Sequence, residues 1–260
     1  RRAWDRLGPI RPEVAAATGL PPETPVLCGI HDSNANFLRY RAAGLSDFTL
    51  MSTGTWLIAF NPALPLCALP RGRDAVSNTD LEGRPVACSR FMLGRECALV
   101  AGEGVRARPT PADVEALVAE GVMALPSFTD TGGPYPWTGR KGRIVGEPAG
   151  PRARGALAVL YGALMASAAV DVIGSRNDIV IDGPFAADPL FPALMAALRP
   201  RQRVRVAPQP DGTALGGALL ARWSPGAAPV PVVLHDVAPA AIPGLEAYAA
   251  AWQAKLPPSG

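Results

Sequence analysis

From Arg152 to Trp223 the sequence alternates between helical and strand segments, and that alternation constrains the chain to an α/β architecture. A long apolar helix is predicted from Arg152 to about Ile173, then a strand at Ile179-Val180-Ile181 that ends on Asp182-Gly183-Pro184. A helix over about Pro189 to Leu198, a strand over Arg203 to Val206 and a Gly/Ala-rich helix over Gly212 to Trp223 follow. The apolar run from Gly155 to Gly174 approaches the length of a bilayer span, but Arg152, Arg154 and Asp171 bracket or interrupt it. It reads as a buried helix.

Before Arg152 the pattern is more mixed. A short helix is predicted around Glu13 to Thr18, and the compact apolar run from Pro25 to Ile30 has the character of a buried strand. His31-Asp32-Ser33-Asn34 stands at the end of that strand, with Ser33 or Asn34 as the cap of a helix running to about Tyr40. Phe48 to Asn61 reads as two strands joined by Ser52-Thr53-Gly54-Thr55, and Ala75–Thr79 with Arg84–Phe91 as a second hairpin. Pro109 to Met123 is expected to be helical, with Thr110 as cap and Pro111 in the first turn. Ser127 to Gly150, rich in Gly, Pro and Thr, reads as a long loop with room for one strand, a kind of segment that often carries function inside a compact domain. One more helix is expected near Leu245 to Ala254, in the tail after Pro225.

Composition narrows the function classes. Among 260 residues, 25 Lys/Arg are scattered among 22 Asp/Glu for a net charge of +3, with no basic block to favour nucleic acid or an anionic membrane as partner. Cys28, Cys67, Cys88 and Cys97 form no C-x-x-C pair and have no His at ligand spacing, so no metal site is expected from them. Four thiols in a chain of this length suit a reducing compartment, here the cytoplasm, better than a disulfide framework. No signal peptide is evident. The chain opens at Arg1 without a Met and reads from its first residues as the middle of a domain, so a preceding part is expected to be missing. Walker A, G-x-G-x-x-G, H-E-x-x-H and G-x-S-x-G patterns do not occur, which removes support for P-loop kinases, nucleotide dehydrogenases, zincins and standard α/β-hydrolases.

Three corners sit at predicted strand ends, where open α/β sheets place their ligands. Asp32 at the first can accept a proton, bind a metal or simply cap a helix, and the residues alone leave capping and chemistry evenly balanced. Ser52-Thr53-Gly54-Thr55 at the second offers hydroxyl and backbone N–H donors to phosphate oxygens, or is an ordinary polar hairpin turn. Asp182-Gly183-Pro184 at the third is followed by Gly212-Thr213-Ala214-Leu215-Gly216-Gly217. Small residues there leave a flat surface for a base or ribose, and the helix start near Gly212 favours negative charge; close helix–strand packing explains the same glycines.

The order of these corners resembles that of the FGGY carbohydrate kinases, among them glycerol kinase, xylulokinase, rhamnulokinase and fuculokinase. The similarity runs from Gly29-Ile30-His31-Asp32 through Ser52-Thr53-Gly54-Thr55-Trp56 and Ile179-Val180-Ile181-Asp182-Gly183-Pro184 to Gly212-Thr213-Ala214-Leu215-Gly216-Gly217-Ala218-Leu219-Leu220. It covers about Gly19 to Arg222. It implies an α/β, actin-like ATPase (ribonuclease H-like) fold of two lobes with a cleft between them, of which this chain is mainly the C-terminal, nucleotide-binding lobe. Residues 1–45 look like the end of the sugar-binding lobe, 46–224 like the nucleotide-binding lobe, and 225–260 form the tail with one helix. The family's first phosphate turn has no counterpart here, so the chain by itself is expected to be inactive.

Carried over by position, the resemblance implies that Asp32 is the base that accepts the proton of the attacking sugar hydroxyl, with His31 beside the substrate. Gly54 and Thr55, with Ser52 and Thr53 next to them, match the second phosphate turn. Asp182 and Gly183 match the start of an adenosine-binding Asp-Gly-Gly turn, in which Pro184 replaces the second Gly and Asp188 stands where Asn is common. Gly212 opens the helix that completes the nucleotide site. ATP and Mg²⁺ are the implied cofactors and a small sugar, ketose, deoxy-ketose or polyol the implied partner; a homodimer is compatible with this. His31 and Trp56 resemble the rhamnulokinase and fuculokinase branch more than glycerol kinase. The competing reading is a non-catalytic, actin-like nucleotide-binding sugar sensor. Arg95 and Glu96, in what reads as an exposed Gly-Arg-Glu turn, and the loop from Thr129 to Gly142 are the further segments considered as borders of the cleft.

Overall fold

The structure is a computed structural model that describes residues 1–102, 108–208 and 211–256. In chain order it begins with β1 (Arg6–Pro9), α1 (Pro12–Thr18), β2 (Pro25–Leu27) and α2 (Asp32–Ala42). Next come β3 (Phe48–Thr53), β4 (Leu57–Asn61), β5 (Ala75–Thr79) and β6 (Pro85–Phe91), then α3 (Leu93–Ala101), α4 (Pro111–Glu120), β7 (Met123–Leu125) and β8 (Arg143–Val145). The remainder is α5 (Gly150–Val172), β9 (Asp178–Asp182), α6 (Leu190–Leu198), β10 (Val204–Val206), α7 (Gly212–Leu220), β11 (His235–Asp236) and α8 (Leu245–Ala254). The chain divides into two compact units: Arg1–Leu45 with Thr79–Arg84 and Asp211–Val232, and Ser46–Asn78 with Pro85–Pro210 and Val233–Gly260.

The larger unit is built on a sheet with strand order β11-β10-β9-β3-β4-β6-β5. β3, β9 and β10 run parallel, while β4, β6 and β11 are antiparallel to their neighbours. Every residue of β3 is buried, as a strand in the middle of a sheet with both faces covered must be. α5 is 23 residues long and apolar on nearly all sides, which a helix tolerates only when it is enclosed. By length and composition it is able to cross a membrane, yet 78 % of its apolar window is buried within the protein. It is an interior helix, as its sequence suggests. Phe191, Leu194, Tyr161, Ile179, Ile181 and Trp252 belong to the same core.

Several local expectations are corrected. α3 replaces the expected Gly-Arg-Glu turn, and Glu96 within it is completely buried rather than exposed. The helix after Thr110 stops at Glu120, where Gly121 adopts a left-handed conformation; Met123, expected to be helical, already belongs to β7, and its partner β8 is the strand for which the 127–150 loop left room. Ser52 and Thr53 are the last residues of β3, so the turn proper is shorter than Ser52–Thr55. The helix from Gly212 ends at Leu220, three residues short of Trp223.

In the smaller unit β1 and β2 form an antiparallel pair connected through α1; β2 is short, mostly exposed and stops at Leu27, not the buried strand expected through Ile30, and α2 packs against α7. Leu38, Ala42 and Leu220 form its apolar cluster, with Trp223, Leu219 and Leu27 against it. The helix pair approaches so closely at Gly216 that a Cβ there would fall inside the van der Waals envelope of the Ala35 carbonyl oxygen.

Candidate functional site

In the larger unit, β3 and β9 are parallel neighbours with Ser52 opposite Asp182. Their carboxyl ends therefore finish side by side, and with them two corners that lie far apart in sequence. The Thr53 hydroxyl donates to the Asp182 carbonyl oxygen at 2.5 Å and accepts from the Phe185 N–H at 3.3 Å. Asp182, fully buried, turns its Oδ1 back to the Gly183 N–H at 2.6 Å. Gly183 has φ +91°, and a Cβ on it would collide with the Thr53 carbonyl oxygen. Glycine is required there twice over, by conformation and by the closeness of the two strands.

Beyond this knot the surface opens. Around Gly54 only the Trp56 carbonyl oxygen, at 3.9 Å, would come within 4 Å of an added Cβ, and Thr55 is exposed. A bare glycine next to a hydroxyl residue allows an anion to reach backbone N–H groups, which is the property a phosphate turn needs. Pro184 begins a short 3₁₀ turn, Pro184–Ala186, and thereby directs the chain away from the strand end. Asp188 accepts the Leu190 N–H at 3.1 Å and so secures the start of α6. Among the described residues no group of three or more His, Cys, Asp or Glu could hold a metal ion. This donor set fits Mg²⁺ only in its usual nucleotide-bound form, coordinated by phosphates and water with few protein ligands.

In the smaller unit the cap of α2 is His31, not Ser33 or Asn34 as the sequence suggested. Its backbone is extended and its Nδ1 accepts the Ser33 N–H at 3.4 Å. Asp32 is the first residue within the helix, where a carboxylate is favoured by the helix dipole. Its Oδ1 accepts the Ser33 N–H at 2.6 Å and lies 2.8 Å from His31 Nδ1. The Asp32 side chain is 74 % exposed, and Oδ2 has no hydrogen bond among the described residues. One carboxylate oxygen thus serves the helix start while the other remains available to a ligand.

Gly212 opens α7 in the same unit. Ala35 and Gly216, the point of closest approach, lie three and four residues from Asp32 and Gly212, so both helix starts are about one turn from the crossing. The fold thereby brings Asp32 and Gly212 to the same end of a helix pair, and it brings Ser52, Thr53, Gly54 and Thr55 together with Asp182, Gly183 and Pro184 at one strand end.

The family described as carbohydrate kinase FGGY, C-terminal domain, matches residues 45–229. A carbohydrate kinase from Novosphingobium aromaticivorans is 35% identical with a TM-score of 0.78, covering 99% of this chain and 58% of that one. A xylulose kinase from Rhodospirillum rubrum (21% identity, TM-score 0.60, 98% of this chain and 55% of that chain) shares the fold. So does a gluconate kinase from Lactobacillus acidophilus (15% identity, TM-score 0.66, 98% of this chain and 54% of that chain). The chain thus spans somewhat more than half the length of the solved structures it resembles. A search of curated proteins gave no match.

Proposed function

The chain belongs to the FGGY carbohydrate kinases and has their α/β actin-like ATPase fold, and from that premise we propose that the whole protein phosphorylates a hydroxyl of a small sugar with ATP. The observation that carries this reading is the joint strand end of β3 and β9, where an open glycine and an exposed threonine stand beside the Asp182–Gly183 corner. ATP with Mg²⁺ supplies the transferable phosphoryl group and the charge neutralisation that its transfer needs. Ser52, Thr53, Gly54 and Thr55 then serve as the phosphate turn. Asp182, Gly183 and Pro184 serve the nucleoside, with Asp188 holding the chain that follows. Gly212 gives the nucleotide a helix start free of side chain. Asp32 orients the attacking hydroxyl through Oδ2 and takes its proton as the oxygen–phosphorus bond forms, and His31 borders the sugar.

The substrate class we propose is a ketose, deoxy-ketose or polyol, with His31 and Trp56 favouring a rhamnulokinase- or fuculokinase-like preference. Four free thiols suit work in the reducing cytoplasm. The test is a coupled ADP-release assay of the whole protein against a ketose and polyol panel, paired with thermal unfolding in MgATP. A ligand that binds only the folded state stabilises it by about 2.7 kcal/mol at a hundredfold excess over Kd. Nucleotide binding without ADP release on any sugar would favour a sugar sensor, and no thermal response to MgATP would remove the nucleotide altogether.

Gly183→Ala gives a local check. With φ +91° and the Thr53 carbonyl in the way, the added methyl must separate the ends of β3 and β9. MgATP affinity is expected to fall about tenfold or more, a loss of at least roughly 1.4 kcal/mol. Isothermal calorimetry reads it directly, and unchanged affinity would place the nucleotide elsewhere.

A further inference from the structure

α3 joins parts of the larger unit that the sequence keeps apart. Its first turn rests on the Gly54–Thr55 corner: the Gly94 N–H donates to the Thr55 carbonyl oxygen at 3.1 Å. A Cβ on Gly94 would lie 2.6 Å from the Gly54 carbonyl oxygen, so helix and turn are in direct backbone contact. Two residues on, Glu96 is completely buried. Its Oε2 accepts the Phe128 N–H at 2.9 Å and the Tyr161 hydroxyl at 2.8 Å; its Oε1 accepts the Thr129 N–H at 2.8 Å and the Thr129 hydroxyl at 2.6 Å. All four partners are donors, as an acceptor-only carboxylate requires. Burial first, and the adjacent Glu96 charge second, keep the Tyr161 phenol well above its ordinary titration range, so it remains a donor.

Phe128 and Thr129 lead into a segment that folds back on itself. The Ser127 N–H donates to Thr138 O, the Arg140 N–H to Thr129 O and the Gly142 N–H to Ser127 O. Glu96 therefore ties α3 both to this loop and, through Tyr161, to α5. An apolar residue of similar volume would leave the Phe128 and Thr129 N–H groups without an acceptor, so the carboxylate is what allows the loop to dock on α3.

We propose that Glu96 is a positioning residue for the phosphate turn: by fixing the first turn of α3 to α5 and to the 127–142 loop, it holds Gly94 under Gly54 and Thr55. The inference rests on the reading of Ser52–Thr55 as the phosphate turn. Glu96→Gln preserves the shape but presents an amide donor to one of the backbone N–H donors. In the whole protein it is expected to raise KM for MgATP about tenfold while KM for the sugar stays within about twofold. Tyr161→Phe removes only one donor and should raise KM for MgATP by about twofold or less. Gly94→Ala pushes on the Gly54 carbonyl without touching the buried network, and is expected to reproduce the selective rise in KM for MgATP. Gly94→Ala answers the question if Glu96→Gln fails to fold.

Glu96→Gln with a lowered unfolding temperature but unchanged KM for MgATP would make Glu96 merely structural and overturn the proposal. Equal rises in both KM values, or Gly94→Ala with normal MgATP kinetics, would overturn it as well. A wild-type protein that neither binds nor turns over MgATP would fail differently, removing the phosphate-turn reading itself and this inference with it.

Discussion

Asp32→Asn in the whole protein is expected to lower turnover about 10²–10⁴-fold, the usual worth of a positioned general base, with MgATP affinity within about twofold of wild type. The two roles open to Asp32, helix start and proton acceptor, fall on different oxygens. Oδ1 accepts the Ser33 N–H, and Asn keeps that acceptor. Oδ2, which has no hydrogen bond among the described residues and sits on a side chain 74 % exposed, is the atom that Asn converts to an NH₂ donor. The folding cost is limited to the lost attraction between a carboxylate and the helix start, about 0.3–1 kcal/mol at an exposed site. The substitution therefore separates the roles: a residue that matters only for α2 would retain most activity, and a base would not. Turnover of the Asn variant above about a tenth of wild type would withdraw Asp32 from the chemistry.

Two of the three corners lie at strand ends, as expected, and were readable because each ends an apolar run with polar or glycine residues; the Asp32 corner does not, since β2 stops at Leu27, before His31-Asp32. What joins the other two was not readable. The Thr53–Asp182 hydrogen bond spans 129 residues and exists because β3 and β9 are neighbours in the sheet, a fact of strand order that no local pattern contains. Close packing was one reading of Gly183 and Gly216 in the sequence, and it holds for both; what the sequence did not show is that the carbonyls of Thr53 and Ala35 that require them come from distant segments. α3 was missed for a related reason. Gly94-Arg95-Glu96 has the composition of an exposed turn, and only Phe128, Thr129 and Tyr161, supplied from elsewhere in the chain, make a buried glutamate tolerable there. The signal available was the spacing of Leu93, Cys97 and Val100, which continues a helical apolar stripe through the charged pair. β7 and β8 are each three residues long and stabilise only as a pair, so β7 is hidden behind the helix read over 109–123 and the strand allowed for in the 127–150 loop has no position in the sequence.

Gly216→Ala and Gly217→Ala, adjacent on α7, are expected to change stability in opposite directions. Both replace glycine by the best helix former inside a helix, a gain of about 0.8–1 kcal/mol if nothing else changes. At Gly217 nothing lies within 4 Å of the new methyl and φ is ordinary, so that gain should appear almost whole. At Gly216 the methyl meets the Ala35 carbonyl oxygen, a backbone atom that has no rotamer to move to. α2 and α7 must separate, and the cluster of Leu38, Ala42 and Leu220 beyond the crossing loosens with them. Overpacking typically costs about 1–3 kcal/mol, and a clash against backbone belongs at the upper end. The clash exceeds the propensity gain, leaving a net loss of about 2 kcal/mol, or about 4–8 °C in Tm for a protein of this size. Thermal unfolding of the two variants beside wild type measures the sign of each; a shared sign would mean that the close approach of α2 and α7 is not what Gly216 provides. Because Ala35 is one turn from Asp32, the variant also tests function. At a temperature where Gly216→Ala remains folded, displaced Asp32 should lower kcat, while Gly217→Ala should turn over as wild type does.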